Sequence, residues 1–238
     1  INCKEAQKAI RAGAQIIDCK DALDGPLGAL SYEAVSEIVK CVCKRVPVSA
    51  TIGNIIHNHE AIYEAACRMA SAGADFVKIG LFIDGDPREI IRKLKNISKG
   101  KSKIVGLLFA EEYPDLNLIN AMSKCGFAGV MLDTRNKQGG ALPDIIPQVR
   151  LKEFIDKAHE AGLFVGLAGS LGLQHIEHML NLRTDLLGFR GALCRKGRRE
   201  DNLDEKAVRV IADKIKFLKS HLIPIKDQIS EIRNDATV

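Results

Sequence analysis

Four times along this chain a helical stretch ends at glycine and runs within a few residues into a short apolar segment: AGAQ at 12–15, AGAD at 72–75, CGFAG at 125–129 and AGLF at 161–164. Self-similarity of this kind marks a repeated βα unit, with the glycine closing each helix. β-rich runs recur at 15–20 (QIIDCK), 46–53 (VPVSATIG), 75–81 (DFVKIGL), 103–110 (KIVGLLFA), 129–134 (GVMLDT), 164–170 (FVGLAGS) and 186–192 (LLGFRGA), with helical stretches between them. Apolar strands alternating with helices imply a parallel sheet covered on both faces, either doubly wound or closed as a (β/α)8 barrel. Seven strands are read, and the chain opens on a helix, roughly 3–12, with no strand before it. A first strand is therefore expected to be missing from the numbered sequence, and seven plus one gives an α/β TIM (β/α)8 barrel. One catalytic domain is expected over 1–221, with 222–238 a tail or short helix whose role as cap, oligomer contact or frayed end stays open.

Composition narrows the function classes. The net charge is +5 and there are no Trp and three Tyr, so a nucleic-acid binder is not expected. The mild positive charge suits a small phosphorylated substrate or an ordinary basic surface. Seven cysteines, odd in number and without a C-x-x-C pair, read as reduced thiols of a cytoplasmic protein. No apolar run approaches the roughly 18 residues that would span a bilayer, so no membrane partner is expected. A homo-oligomer is expected.

Barrel active sites lie at the C-terminal ends of the strands, so charges there take a catalytic reading first. Asp18 and Lys20 end the first visible strand, Lys78 interrupts FVKIGL, Asp133 ends GVMLDT with Lys137 four residues on, and Arg190 ends LLGFR. A single such residue reads as a snorkelling lysine or a structural ion pair. Several together favour chemistry: two lysines facing one lumen repel, leaving a neutral amine able to attack a carbonyl, with Asp18 and Asp133 placed to relay protons. AGSL at 168–171 and RGAL at 190–193 suit a phosphate cradle, in which Gly169 and Gly191 allow close backbone approach, Ser170 donates and Arg190 binds bidentately. Tight turns are the alternative for either loop alone. The run Arg195, Lys196, Arg198, Arg199 reads as a solvated loop, with an extra phosphate clamp as the alternative. His175 and His178 lack a ligand set around them, and no metal is expected.

DCKDALDGPLGAL, VSATIGN, GADFVKIGL, MLDT followed by Lys137, LAGSL and RGALC together resemble the (5-formylfuran-3-yl)methyl phosphate synthase family of methanofuran biosynthesis, in one unbroken order from residue 1 to about 219. The resemblance implies a barrel enzyme that condenses two molecules of glyceraldehyde 3-phosphate, releasing phosphate and water, without metal or organic cofactor. It places the Schiff-base lysine on Lys20 and the proton-accepting lysine on Lys78. Further polar residues of the family fall on Asp18, Asp133 and Lys137. The family also occurs in methylotrophic bacteria that use a related C1 carrier. Rival readings are another Schiff-base phosphosugar aldolase or isomerase, and a non-catalytic phospholigand sensor on a barrel scaffold. A third rival, the orotidine-phosphate decarboxylase group, has the signature D-x-K-x-x-D. Here Asp18, Lys20 and Asp24 are spaced one residue too far apart for it.

Overall fold

The computed structural model describes residues 2–136 and 139–221. All seven anticipated strands form: β1 (Ile17–Cys19), β2 (Val48–Thr51), β3 (Phe76–Gly80), β4 (Lys103–Phe109), β5 (Gly129–Asp133), β6 (Phe164–Leu167) and β7 (Leu186–Leu187). They pair in parallel in sequence order, β1 to β7. Between and around them run α1 (Cys3–Arg11), α2 (Tyr32–Val42), α3 (His59–Ser71), α4 (Pro87–Lys93), α5 (Asn117–Lys124), α6 (Leu142–Ile145), α7 (Gln148–Glu160), α8 (Ile176–Asn181) and α9 (Glu205–His221). Local sequence explains the helix starts: Asn2, Ser31, Asn58 and Asp86 each cap a helix by accepting a backbone N–H through the side chain.

Alternation along each strand divides the molecule into two apolar regions. Ile17, Cys19, Val48, Ala50, Val77, Ile79, Val130, Leu132, Val165 and Leu167 join the helices in one large core. The residues between them face the other way, toward the concave side of the sheet. There the rings of Phe76 on β3 and Phe164 on β6 meet edge to face, with centroids 5.7 Å apart. A flat sheet would hold strands three places apart at about 14 Å, so this contact requires strong curl. Gly129 makes room for it, since a Cβ there would lie 2.5 Å from the Phe164 ring.

The curl brings the two ends of the sheet's covering together. Arg11 of α1 pairs with Glu205 of α9 at 3.6 Å. Gly13 lies so close to α9 that a Cβ would stand 3.0 Å from that of Ala212. Glu5 accepts from Arg190 at 3.3 Å and from the backbone N–H of Leu203 at 3.1 Å. Among the described residues the sheet stops at seven strands, and β1 and β7 do not pair with each other. The architecture is therefore a curled seven-stranded parallel α/β sheet; the eighth strand of the expected barrel is not among the described residues. β7 is also shorter than the run 186–192 suggested, because beyond Leu187 only β6 offers a partner and the chain turns at Gly188 toward a short helical turn at Gly191–Leu193. The segment 222–238 lies outside the described residues.

Burial works to raise the Glu5 carboxyl, but the Leu203 N–H and the Arg190 guanidinium outweigh it and hold the group below the ordinary glutamate range. A carboxylate depressed in the folded state stabilises above its unfolded pKa and loses that contribution as pH falls through the folded value. Glu5→Gln is expected to cost about 1–3 kcal/mol in urea unfolding at about pH 7. The deficit should shrink as pH falls below about 4.5, where Glu5 of the unfolded chain takes up its proton, and be smallest once the folded group is neutral as well. A deficit independent of pH would show that the seam does not depend on this charge.

Candidate active site

The concave face of β1 to β3 carries the charged centre. Asp18 alternates with Ile17 and Cys19, which point into the helix-side core, so its carboxylate projects inward. Lys78 is opposite Thr51 in register and Asp18 is opposite Ser49, so the two charged residues sit on either side of β2. Lys78 Nζ donates to Asp18 Oδ2 at 2.6 Å, and Ser49 Oγ donates to Asp18 Oδ1 at 2.6 Å. The Lys78 side chain is 8% exposed while Asp18 keeps 42% of its side-chain surface. The ammonium is thus buried beneath a carboxylate that still faces the opening.

Burial pushes the Asp18 carboxyl up, but Lys78, then Lys20, and the hydrogen bonds from Lys78 and Ser49 overcome it and hold the group below the usual carboxylate range. Asp18 is therefore an acceptor at neutral pH with a lysine on each side. Both lysines expected from the sequence thus act on one anion, Lys78 by direct contact and Lys20 through its charge. Cys19, beside them in sequence, is pushed up to about 12 by burial and then by Asp18. It remains a thiol and offers no competing nucleophile.

Lys20 stands one residue past β1, where the chain enters a loop folded tightly back on itself. Asp21 N–H donates to Gly28 O at 2.9 Å, and Thr51 Oγ1 donates to the same carbonyl at 2.8 Å. A Cβ at Gly28 would lie 2.5 Å from Asp21 O and 2.6 Å from Asp24 O, so only glycine fits. From this loop Leu27 plugs down over Gly80, into a second apolar cluster with Phe82, Leu107 and Phe109. That cluster fills the concave side over β3 and β4. The polar groups are left on the remaining arc.

On that arc Asp133 ends β5, buried, with its Oδ1 accepting the N–H of Thr134 at 2.7 Å. Glu111 and Glu112, which the sequence reading passed over, hold the following residues. Glu111 accepts from the N–H groups of Arg135 and Asn136, and Glu112 accepts from Arg135 Nη1 and from Ile83 N–H. Lys137 lies outside the described residues. Beside Asp133, Gly169 at φ 110° and Ser170 at φ 47° form two successive left-handed residues at the end of β6. A side chain at Gly169 would strike Thr134, with Cγ2 at 2.6 Å. Backbone N–H groups of a turn can serve an anion, and Ser170 is exposed here.

Arg190 is placed otherwise than a free phosphate clamp would be. Its Nε donates to Arg199 O at 3.0 Å, Nη1 to Glu5 at 3.3 Å and Nη2 to Asp201 O at 3.3 Å. The guanidinium ties the loop after β7 to α1, with Gly191 starting the turn beside it. His175 is used locally, its Nδ1 accepting from Gly172 N–H at 3.0 Å. Among the described residues no three His, Cys, Asp or Glu side chains converge as a ligand set, and no helix is long and apolar enough to cross a membrane. Ser49 and Thr51 were detectable in VSATIG as polar residues on alternate positions, hence on one face. Their partners were not.

Comparison with known proteins identifies the family and the fold. The family model for 4-HFC-P synthase matches residues 1–212. The (5-formylfuran-3-yl)methyl phosphate synthase of Methanocaldococcus jannaschii is 32% identical over 225 residues, covering 90% of this chain and 96% of its own. A Methylorubrum extorquens protein that carries the same enzyme name provisionally is 38% identical over 200 residues, 84% and 82% of the two chains. Among solved structures, 3-hexulose-6-phosphate synthase from Salmonella typhimurium superposes with a TM-score of 0.65 at 15% identity, covering 92% and 95%. 3-Keto-L-gulonate-6-phosphate decarboxylase from Vibrio cholerae gives 0.62 at 13% identity, covering 89% and 91%. At that identity these two speak for the fold alone, whereas the sequence matches extend over nearly the whole described chain: it belongs to the 4-HFC-P synthase family.

Proposed function

We propose that this protein condenses two molecules of glyceraldehyde 3-phosphate into (5-formylfuran-3-yl)methyl phosphate through an imine on Lys20, with release of phosphate and water, in the biosynthesis of methanofuran or a related C1 carrier. The observation that carries the reading is the Lys20–Asp18–Lys78 cluster on the concave face, in a chain whose relatives bear that enzyme's name. We further propose a closed (β/α)8 barrel, in which one more strand lies between β7 and β1. The contact of α1 with α9 across that seam supports it. The reducing cytoplasm is the proposed compartment, since all seven cysteines are free thiols.

In this mechanism the Lys20 amine adds to the aldehyde carbon of one triose phosphate and water leaves, forming the imine. The imine acidifies the neighbouring C–H, and Lys78, once it has passed its own proton to the leaving water by way of Asp18, takes that proton as a neutral amine. Asp18, an acceptor held by Ser49 and shared by both lysines, orients the amines and offsets whichever is cationic. Asp133 and Lys137 carry protons in the dehydrations that make the ring aromatic. The Gly169–Ser170 turn, with Gly191 nearby in the next loop, receives a substrate phosphate through backbone N–H groups and the serine hydroxyl. Arg190 supports that rim by fixing its loop to Glu5.

The test supplies glyceraldehyde 3-phosphate alone and follows the furan-aldehyde absorbance together with free phosphate. Lys20→Arg should abolish both turnover and borohydride trapping, because a guanidinium keeps the charge but forms no imine. Lys78→Arg should lose turnover and retain trapping at Lys20. Borohydride labelling of Lys78, or comparable product from Lys20→Arg, would overturn the assignment.

The phosphate turn has its own test. Gly169→Ala places a methyl against Thr134 and a side chain at φ 110°, so the turn must shift. KM for the triose phosphate should rise about tenfold or more, the loss expected when hydrogen bonds to a charged group are misplaced, with trapping at Lys20 still detectable at saturating substrate. An unchanged KM would remove the phosphate from this turn.

A further inference from the structure

The four cations of the loop after β7 do not share one environment. Arg198 is neutralised by Asp201, with Nε to Oδ2 at 3.0 Å and Nη2 to Oδ1 at 3.2 Å. Arg195 and Lys196 are exposed. Arg199 is half-buried and crosses to the loop after β1, where its Nη2 donates to Gly25 O at 3.2 Å. Its Nε is buried and has no hydrogen-bond partner. None of the carboxylates among the described residues pairs with it; the nearby Asp201 is taken by Arg198, and Glu5 by Arg190.

A guanidinium offers five N–H donors in a rigid fork, keeps its charge at every physiological pH and accepts nothing. Leaving one of those donors buried without an acceptor is unfavourable, and buried polar groups in folded proteins are overwhelmingly satisfied. Here the protein's own contribution is one neutral carbonyl, a weak hold from which the head group can turn without breaking an ion pair. Such a head group is complementary to a tetrahedral anion that presents several acceptor oxygens at once. Its position is as telling as its chemistry. Gly25 belongs to the loop that leaves Lys20, and Arg199 reaches it from the loop that follows β7. The guanidinium therefore spans the rim between the loop after the last strand and the loop after the first.

The proposed reaction brings two phosphates into one opening, and the Gly169–Ser170 turn is one cradle. We infer that Arg199 holds the phosphate of the second triose phosphate, the one that condenses with the Lys20-bound molecule. This inference rests on the triose-phosphate reading for the identity of the ligand, but on the guanidinium's unpartnered Nε for the presence of a phosphate site.

Two measurements on the full chain separate the two. Calorimetric titration with inorganic phosphate should give two equivalents on the wild type and one on Arg199→Gln. On Gly169→Ala, one should remain, and Arg199→Lys, which keeps the charge without the fork, should bind the second equivalent more weakly than wild type. Two equivalents on Arg199→Gln at wild-type thermal stability, or fewer than two on the wild type, would overturn the site. Should Arg199→Gln not fold, the same titration on Arg199→Lys decides, with undiminished affinity at both sites overturning it. With glyceraldehyde 3-phosphate, Arg199→Gln should still yield the Lys20 adduct on borohydride treatment, while half-saturation for furan formation rises about tenfold or more, as loss of a charge-assisted contact predicts. Loss of trapping in Arg199→Gln would place Arg199 at the first molecule and overturn the assignment to the second. If the phosphate stoichiometries hold while wild type forms neither adduct nor furan, the Arg199 site stands and the triose-phosphate reading falls.

Discussion

The ion pair between Asp18 and Lys78 is the interaction around which the concave face is built. A buried ammonium is tolerated only with an anion in hydrogen-bonding contact, and Asp18 supplies one at 2.6 Å from across β2. The strand between them must then carry a small side chain at Ser49, and its hydroxyl secures the second carboxylate oxygen. A pair of apolar residues in these places would serve stability as well or better. Charges kept where packing does not require them are what the proposed chemistry would use, and the carboxylate's exposed side is where a substrate would meet them.

Everything else on the concave side makes room for that pair. Phe76 and Phe164 meet over Gly129 and close the curl from within. Leu27 descends from the first loop onto Gly80 and, with Phe82, Leu107 and Phe109, excludes water from the arc over β3 and β4. Water exclusion on one side strengthens the electrostatics on the other. The polar groups at the ends of β5 and β6 lie on the arc that this apolar cluster leaves free. The same logic explains the glycines at 28 and 169, each set where backbone must approach backbone within a distance no Cβ would allow.

The rim is held by ions of a different kind. Arg190 and Glu5 join residues 185 apart in sequence and fasten the last loop to the first helix. Arg198 and Asp201 stiffen that loop locally. With those charges paired off, the guanidinium of Arg199 remains as the group whose hydrogen bonding the protein does not complete. Structural and ligand-facing cations thus lie within a few residues of each other, and residue type does not distinguish them.

The periodicity of this sequence determined the strands, the helices between them and their parallel order, because alternation of two and repeats of 3.6 are local properties of the chain. It also placed Asp18, Lys20, Lys78 and Asp133 on the strands or just past them, since a charge inside an apolar run is visible without coordinates. Partnership was not visible. That Asp18 pairs with Lys78 depends on the register of β1 and β2 against β3, and that Arg190 turns to Glu5 depends on a curl bringing residues 5 and 190 together. Two arginines nine residues apart, Arg190 and Arg199, find different partners for the same reason: a guanidinium's hydrogen bonds are set by which acceptors come within about 3 Å, and only the tertiary fold decides that.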